Sequence, residues 1–289
     1  IFSTMFCAVI MPIYNEASHL DLVLQSFASQ TERCDMLILV DDGSTDQSPQ
    51  IQNKWAEQHP WIKVLSSDNT SAHAPGAKVV HAFYRGYEYM LALSQKNALN
   101  IALIGKFDGD VILPPDYFAT LKEAFNKNAQ LGLASGLLYI KKNKDWVYEQ
   151  ISKKQKIRGP IKLYRKACFD EIGGLQACLG WDSIDQWLVQ FWGWQVKTFT
   201  SLKVKHLKAT GQDYRPGQLS NQGRAFAHMG YGFWLSLLSL VKLGIYHKNP
   251  KLVHNGLIQY WRHRNALMVS KEQAKFIRKS LWYSILNNR

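Results

Sequence analysis

Asp108 and Asp110 flank a glycine in GKFDGDVILPP, Gly105 to Pro115, directly after the apolar residues Ile101 to Ile104. If the strand continues that far, both acids point to the same side of it. Two carboxylates that close repel each other, so either one keeps its proton or a cation sits between them. Gly109 carries no side chain to block a bulky anion such as a diphosphate. A second acidic pair, Asp41-Asp42, ends the apolar run Met36 to Val40 and opens the turn DGSTD, with Ser44 or Thr45 placed to cap the next helix. An aspartate there is able to accept hydrogen bonds from a nucleotide base or ribose; it is equally a good turn and no more. Asn15-Glu16 closes a third apolar run, Met5 to Tyr14.

Elements must bring these groups together. Met5 to Tyr14, Met36 to Val40, the stretch WIKVLSS and Ile101 to Phe107 read as strands, and Leu20 to Ala28, Gln47 to Gln58, Lys78 to Leu93 and Asp116 to Asn126 read as helices. Strands this apolar, alternating with helices, imply an α/β fold with a mostly parallel sheet covered on both faces. In such sheets the ligand lies beyond the carboxyl ends of the strands, where all three acidic segments fall. Past Leu131 to Ile140 the alternation weakens through basic loops, KKNKD and KKQKIRG. It resumes with a helix near Asp185 to Gly193 and a strand near Gln195 to Val204.

With 289 residues the chain is long enough for one large domain or a domain with an appendage. The balance of 35 Lys+Arg against 22 Asp+Glu, a net +13, points to an anionic partner: nucleic acid, acidic lipid headgroups or a phosphorylated substrate. Cys7, Cys34, Cys168 and Cys178 show no C-x-x-C spacing and read as reduced, buried thiols of a cytosolic protein. No secretory signal pattern is present, because the first apolar run already contains Pro12, Tyr14 and Asn15.

In this order and spacing, AVIMPIYNEA (Ala8 to Ala17), VDDGSTD (Val40 to Asp46) and FDGDV (Phe107 to Val111) resemble the inverting, nucleotide-sugar-dependent glycosyltransferases of family 2. The resemblance covers roughly Phe6 to Gly211 and implies the GT-A fold, Rossmann-like, with a mostly parallel sheet flanked by helices. It implies a donor site in which Pro12, Tyr14, Glu16 and Asp41 or Asp42 border the nucleoside. Asp108 and Asp110 would be the DxD motif, with Asp110 the direct ligand of Mn2+ or Mg2+. A hard divalent cation on carboxylates would neutralise the charge developing on a diphosphate leaving group.

Three more segments follow from the resemblance. GAKVVHAFYRGYE, Gly76 to Glu88, looks like a glycine-led helix start at which Lys78 would touch the diphosphate, where helix amides also favour anions; a lysine there is equally an ordinary solvated charge. GGLQACLGWDSIDQW, Gly173 to Trp187, resembles the segment holding the catalytic base, although Trp181 stands where a glutamate is usual. Asp182 is the candidate base and Asp185 the second candidate; either also serves as a plain helix cap. HLKATG, His206 to Gly211, resembles an element in which His206 would complete the metal site and Lys208 reach a phosphate; a lone histidine is equally a structural residue.

A catalytic domain is thus expected over residues 1–215 and a helical, basic and aromatic region over 216–289. Only Ala225 to Tyr246 approaches transmembrane length, and His228, Lys242 and glycines interrupt it. Trp234, Leu237, Leu238, Val241 and Ile245 make one apolar side of a helix and Ser236, Ser239 and Lys242 a narrow polar stripe. Such a helix packs on the catalytic domain or lies in the plane of a membrane, and the basic charge favours peripheral contact at the cytoplasmic face. The expected activity is transfer of a sugar, with inversion, to a glycan or lipid-linked acceptor in cell-surface polysaccharide or glycolipid synthesis. The alternatives are a metal-dependent nucleotidyltransferase, whose glycine- and arginine-rich phosphate loop PIYNEAS lacks, and a basic nucleic-acid-binding protein, for which no familiar motif is evident.

Overall fold

The computed structural model describes residues 5–66, 77–150, 153–209 and 221–287. The chain forms two compact units, one of Ile1–His73, Lys78–Gly174 and Trp192–Ala209, the other of Ala74–Ala77, Leu175–Phe191 and Thr210–Arg289. The boundary expected near residue 215 is drawn differently here, because the stretch after Gly174 goes with the C-terminal helices.

The first unit begins with β1 (Phe6–Ile13), α1 (Ala17–Ala28), β2 (Met36–Asp41), α2 (Ser48–Gln58), β3 (Ile62–Leu65), α3 (Ala77–Lys96) and β4 (Ile101–Phe107). Every β2 residue is buried, which is what a strand covered on both faces requires. β5 (Val111–Ile112), α4 (Tyr117–Lys127), β6 (Leu131–Lys142), β7 (Asp145–Tyr148), β8 (Ile161–Arg165), α5 (Lys166–Glu171) and β9 (Gln195–His206) complete it. The strands make one sheet in the order β3-β2-β1-β4-β8-β6-β9-β5, with β7 on β6. On one side a core gathers Phe27, Phe107, Tyr117, Phe118 and Leu163; on the other, α3 lies against β1 and β2.

The sheet is less parallel than expected. β3, β2, β1 and β4 run parallel, as do β6 and β9, but β4/β8, β8/β6, β6/β7 and β5/β9 are antiparallel. The basic loop KKNKD proves to be the turn of the β6–β7 hairpin. β8 escaped the apolar pattern because Lys162, its second residue, is fully buried opposite the equally buried Lys106 of β4. Neither Ser44 nor Thr45 caps α2; Gln47 stands at that position, and Ser44 Oγ instead accepts from the Asn15 amide at 3.0 Å. All four cysteines are free and buried.

The second unit holds α6 (Trp181–Phe191), α7 (Gln222–His228), α8 (Phe233–Tyr246), α9 (Pro250–His263) and α10 (Lys271–Leu286). Glycines let these short helices meet backbone to backbone. A Cβ on Gly223 would fall 1.8 Å from the Gly256 carbonyl oxygen, and one on Gly256 would fall 2.4 Å from Leu240. Gly230 and Gly232, both at positive φ, break the apolar stretch between α7 and α8. Ser270 and Gln273 form a reciprocal capping box at the start of α10. No helix among the described residues is long and apolar enough to cross a membrane.

Gly86 sets how closely α3 approaches the sheet, since a Cβ there would lie 2.6 Å from Ile10 Cγ2 and 2.7 Å from Val40 Cγ2. Gly86→Ala gains about 1 kcal/mol of helix propensity. Overpacking costs about 1–3 kcal/mol and dominates. The substitution is expected to lower the urea midpoint of the first unit, and a raised midpoint would refute this packing.

Candidate functional site

The carboxyl ends of β1, β2 and β4 lie side by side in the first unit, because Ile13 pairs with Asp41 and Val9 with Gly105. The segments that follow them are tied together. Asn15 takes φ 53°, a left-handed conformation that asparagine tolerates, and its Oδ1 accepts from the Thr45 amide at 2.8 Å. The Glu16 amide donates to Ser48 Oγ at 2.9 Å and that of Ala17 to Asp46 at 3.0 Å. The β1 loop therefore cannot shift without the β2 loop.

The two aspartates after β2 have different work. Asp41 is spent on its own turn, accepting from the Gly43 and Ser44 amides at 3.1 Å and from Gln52 Nε2 at 3.2 Å. Asp42 instead meets Arg85 Nη2 at 2.8 Å and Lys78 Nζ at 3.4 Å. Lys78 also lies 4.2 Å over the ring of Tyr14, which is exposed. The structure thus places Lys78 beside Tyr14 and Asp42. Pro12 sits half-buried within β1, level with Val40.

β4 ends at Phe107, so Asp108 and Asp110 do not share one face of a strand; they stand in the turn to β5. Each of the two carboxylates has its own protein partner. Asp108 is held by Lys106, whose Nζ also donates to the Gly159 carbonyl at 3.3 Å. Asp110 faces His206 Nε2 at 3.5 Å, while Nδ1 of the same ring lies 3.4 Å from Glu149. Pairing of Val111 with His206, and a 2.9 Å bond from the Leu207 amide to the Asp110 carbonyl, fix that register. Burial opposes a charge on His206, but the hydrogen bonds and charges of Asp110 and Glu149 outweigh it and push the imidazole up to about 9. Arg158 Nη1 lies 3.6 Å from Glu149 and continues the chain of charges.

Glu16 completes the cluster. Its carboxylate receives both bonds of Lys208, at 2.7 and 2.8 Å, and its side chain runs beside Gly109, where a Cβ would fall 3.3 Å from Glu16 Cγ. Burial raises the Glu16 carboxyl to about 7; Lys208 pulls it down, and the charges of Asp110 and Asp108 push it up again. Sequence reading gave no role to Glu149, Arg158, Arg85 or Lys106, although Lys106, Arg85 and Arg158 lie within GKFDGDVILPP, GAKVVHAFYRGYE and KKQKIRG. The signals on offer were weak: an arginine on the Asp42 side of α3, and a lysine interrupting an apolar strand.

A divalent cation fits this set in a limited way. Asp110 and His206 offer one carboxylate oxygen and one imidazole nitrogen, and Glu149 behind the ring is the partner that orients a ligating histidine. Among the described residues no group of three or more His, Cys, Asp or Glu is arranged to hold a metal. Magnesium-like sites that rely on one or two side chains take their remaining ligands from water and substrate phosphates.

Asp182 and Asp185 belong to the second unit. Asp182 lies half-buried in the first turn of α6, and its charge raises the buried Cys178 thiol, whose own burial is the larger cause. Asp185 is buried and accepts from the Gln186 amide at 2.6 Å. Gly76 and Gly211 lie outside the described residues.

Among solved structures, the fold is similar to the mannosyltransferase PcManGT of Pyrobaculum calidifontis in complex with GDP-Man and Mn2+ (16% identity, TM-score 0.54, 97% of this chain and 80% of that one). It is similar also to GalNAc-T7 with UDP, GalNAc and Mn2+ (12% identity, TM-score 0.61, 98% and 57%). These likenesses establish the GT-A arrangement of mixed sheet and flanking helices. A curated relative, the cholesterol galactosyltransferase of Borreliella burgdorferi, is 36% identical over 67 residues, 23% of this chain and 19% of that protein. Alignments with curated relatives span about a fifth of their lengths. Residues 8–178, more than half of the chain and including every strand-end segment that builds the acidic cluster except the one bearing His206 and Lys208, match the model of glycosyl transferase family 2, and the chain belongs to that family.

Proposed function

We propose that the protein transfers a sugar from a nucleoside diphosphate, with inversion, to a glycan or lipid-linked acceptor. The observation that carries this reading is the meeting of Glu16, Asp108, Asp110, His206 and Lys208, from three separated segments, at one end of the sheet. Mn2+ or Mg2+, if bound by Asp110 and His206, would supply positive charge to a leaving diphosphate. Lys208 adds an ammonium that Glu16 now holds and that a phosphate can claim. Asp42, fixed by Arg85, and the exposed ring of Tyr14 are suited to a ribose and a base. Asp41 is already committed to its turn, so of that pair Asp42 is the donor contact.

Inversion needs the acceptor oxygen to attack the anomeric carbon from the side opposite the diphosphate. The hydroxyl proton passes to a carboxylate as the carbon–oxygen bond to the phosphate breaks and its electrons leave with the diphosphate. Asp182 is assigned as that base. It is less buried than Asp185 and so more open to an acceptor hydroxyl. Lipid-linked acceptors draw support from the name of the cholesterol galactosyltransferase relative. No observation favours the nucleotidyltransferase or the nucleic-acid reading.

Nucleotide binding tests the donor site. With Mn2+ and UDP, GDP, dTDP or CDP at about a hundred times its dissociation constant, at least one is expected to raise the melting temperature by about 5 °C or more. Asp110→Asn should abolish the Mn2+-dependent part while leaving the unliganded fold intact; an unchanged shift would remove Asp110 and the metal from the reading. Asp182→Asn should keep the nucleotide shift but lower turnover by about 10^2 to 10^4. Should that variant turn over normally while Asp185→Asn is inactive, the base is Asp185.

A further inference from the structure

Helix α8 is apolar on both sides: Leu235 and Leu240 are buried, and a second apolar stripe is left in water. Trp234, Leu238, Val241 and Ile245, spaced along one stripe, all face outward, Trp234 being 67% and Ile245 73% exposed. Ser236 is fully buried on the inner side, its hydroxyl donating to the Gly232 carbonyl at 2.7 Å, and Gly244 is buried beside Val253. The polar stripe expected from the sequence is therefore partly the packed side. At the start of α8 the ring of Phe233 lies 5.1 Å from Trp234 and 5.9 Å from Trp261 of α9, so two exposed tryptophans stand around one aromatic. Arg264 lies 4.5 Å over the Trp261 ring.

The charge around this stripe is one-sided. Residues 221–287 contain ten lysines and arginines and one acid, Glu272. Lys242, Lys248, Lys251, Arg262 and Arg264, on or next to α8 and α9, are all exposed. A second copy of the chain would satisfy the apolar stripe but bring cation against cation. RNA or DNA would satisfy the cations and leave leucine, valine and isoleucine in water. A lipid–water interface takes both, with aliphatic chains at the acyl boundary, tryptophans at headgroup depth and cations on acidic headgroups. α8 has 14 residues, or about 21 Å, too short for the roughly 30 Å hydrocarbon core, so it would lie in the plane of the interface.

We propose that the α8–α9 hairpin seats on an anionic phospholipid surface, with Trp234, Leu238, Val241, Ile245 and Trp261 inserted and the neighbouring lysines and arginines on the headgroups. The inference rests on the surface of the second unit and not on the donor reading, and each is open to failure without the other. The test is co-sedimentation of the whole chain with phosphatidylcholine vesicles, with and without phosphatidylglycerol. The wild type should bind the phosphatidylglycerol vesicles preferentially. Leu238→Glu with Ile245→Glu, both at exposed positions, should weaken that binding by about tenfold or more. Lys242→Glu with Lys248→Glu should weaken it about fivefold for each lysine lost, and only on the acidic vesicles. In all variants the urea midpoint and the far-ultraviolet circular dichroism should match those of the wild type, which shows that the chain remains folded. Three outcomes overturn the proposal: no wild-type binding to acidic vesicles, equal binding by the glutamate variant, or a solution mass of two chains that the glutamate variant reduces to one.

Discussion

Acidic groups crowd the ends of the strands, and the site is organised around keeping them there. Glu16, Asp108, Asp110 and Glu149 are drawn together in partly or fully buried positions, where two like charges about 4 Å apart cost on the order of 4 kcal/mol at a protein-like dielectric. Cations answer them: Lys208 on Glu16, Lys106 on Asp108, and His206 between Asp110 and Glu149 with Arg158 behind. The upward shifts of Glu16 and His206 have related origins. In both, a proton is retained where negative charge is concentrated, although burial drives the first and opposes the second.

Holding such a cluster demands a sheet that reverses direction. β1, β2 and β4 supply Glu16, the Asp41-Asp42 turn and the Asp108–Asp110 turn from neighbouring parallel strands, but parallel connections alone would not bring Glu149 and His206 back to them. The antiparallel insertion of β8 beside β4, and of the short β5 against the end of β9, does so. Register is decisive at that last pairing. A slip of one residue between Val111 and His206 would turn the imidazole to the other face of the sheet, and leave Asp110 and Glu149 without their bridge.

The second unit follows a different packing logic. Gly223 lies against the Gly256 backbone, while Gly244 and Gly256 receive the side chains of Val253 and Leu240 from neighbouring helices. Leu235, Leu240, Leu252 and Tyr260 are buried in this packing, while Trp234, Leu238, Val241 and Ile245 stay on its outer side.

By itself the sequence determined the alternation of strands and helices through Phe107, the reduced cysteines, and the family, because those depend on local apolar runs and on short motifs at strand ends. It did not determine which carboxylate meets which cation. Asp41 and Asp42 are adjacent and chemically identical, yet one closes a turn through backbone amides and the other binds Arg85 from a helix more than forty residues away. Glu149 and β8 were hidden because a buried acid or lysine contradicts the apolar pattern by which strands are recognised, and only a partner supplied from elsewhere in the fold makes such a burial possible. The outward turn of the α8 stripe was decided in the same manner. Periodicity defines two faces of a helix, but only the neighbouring helices decide which of them is covered.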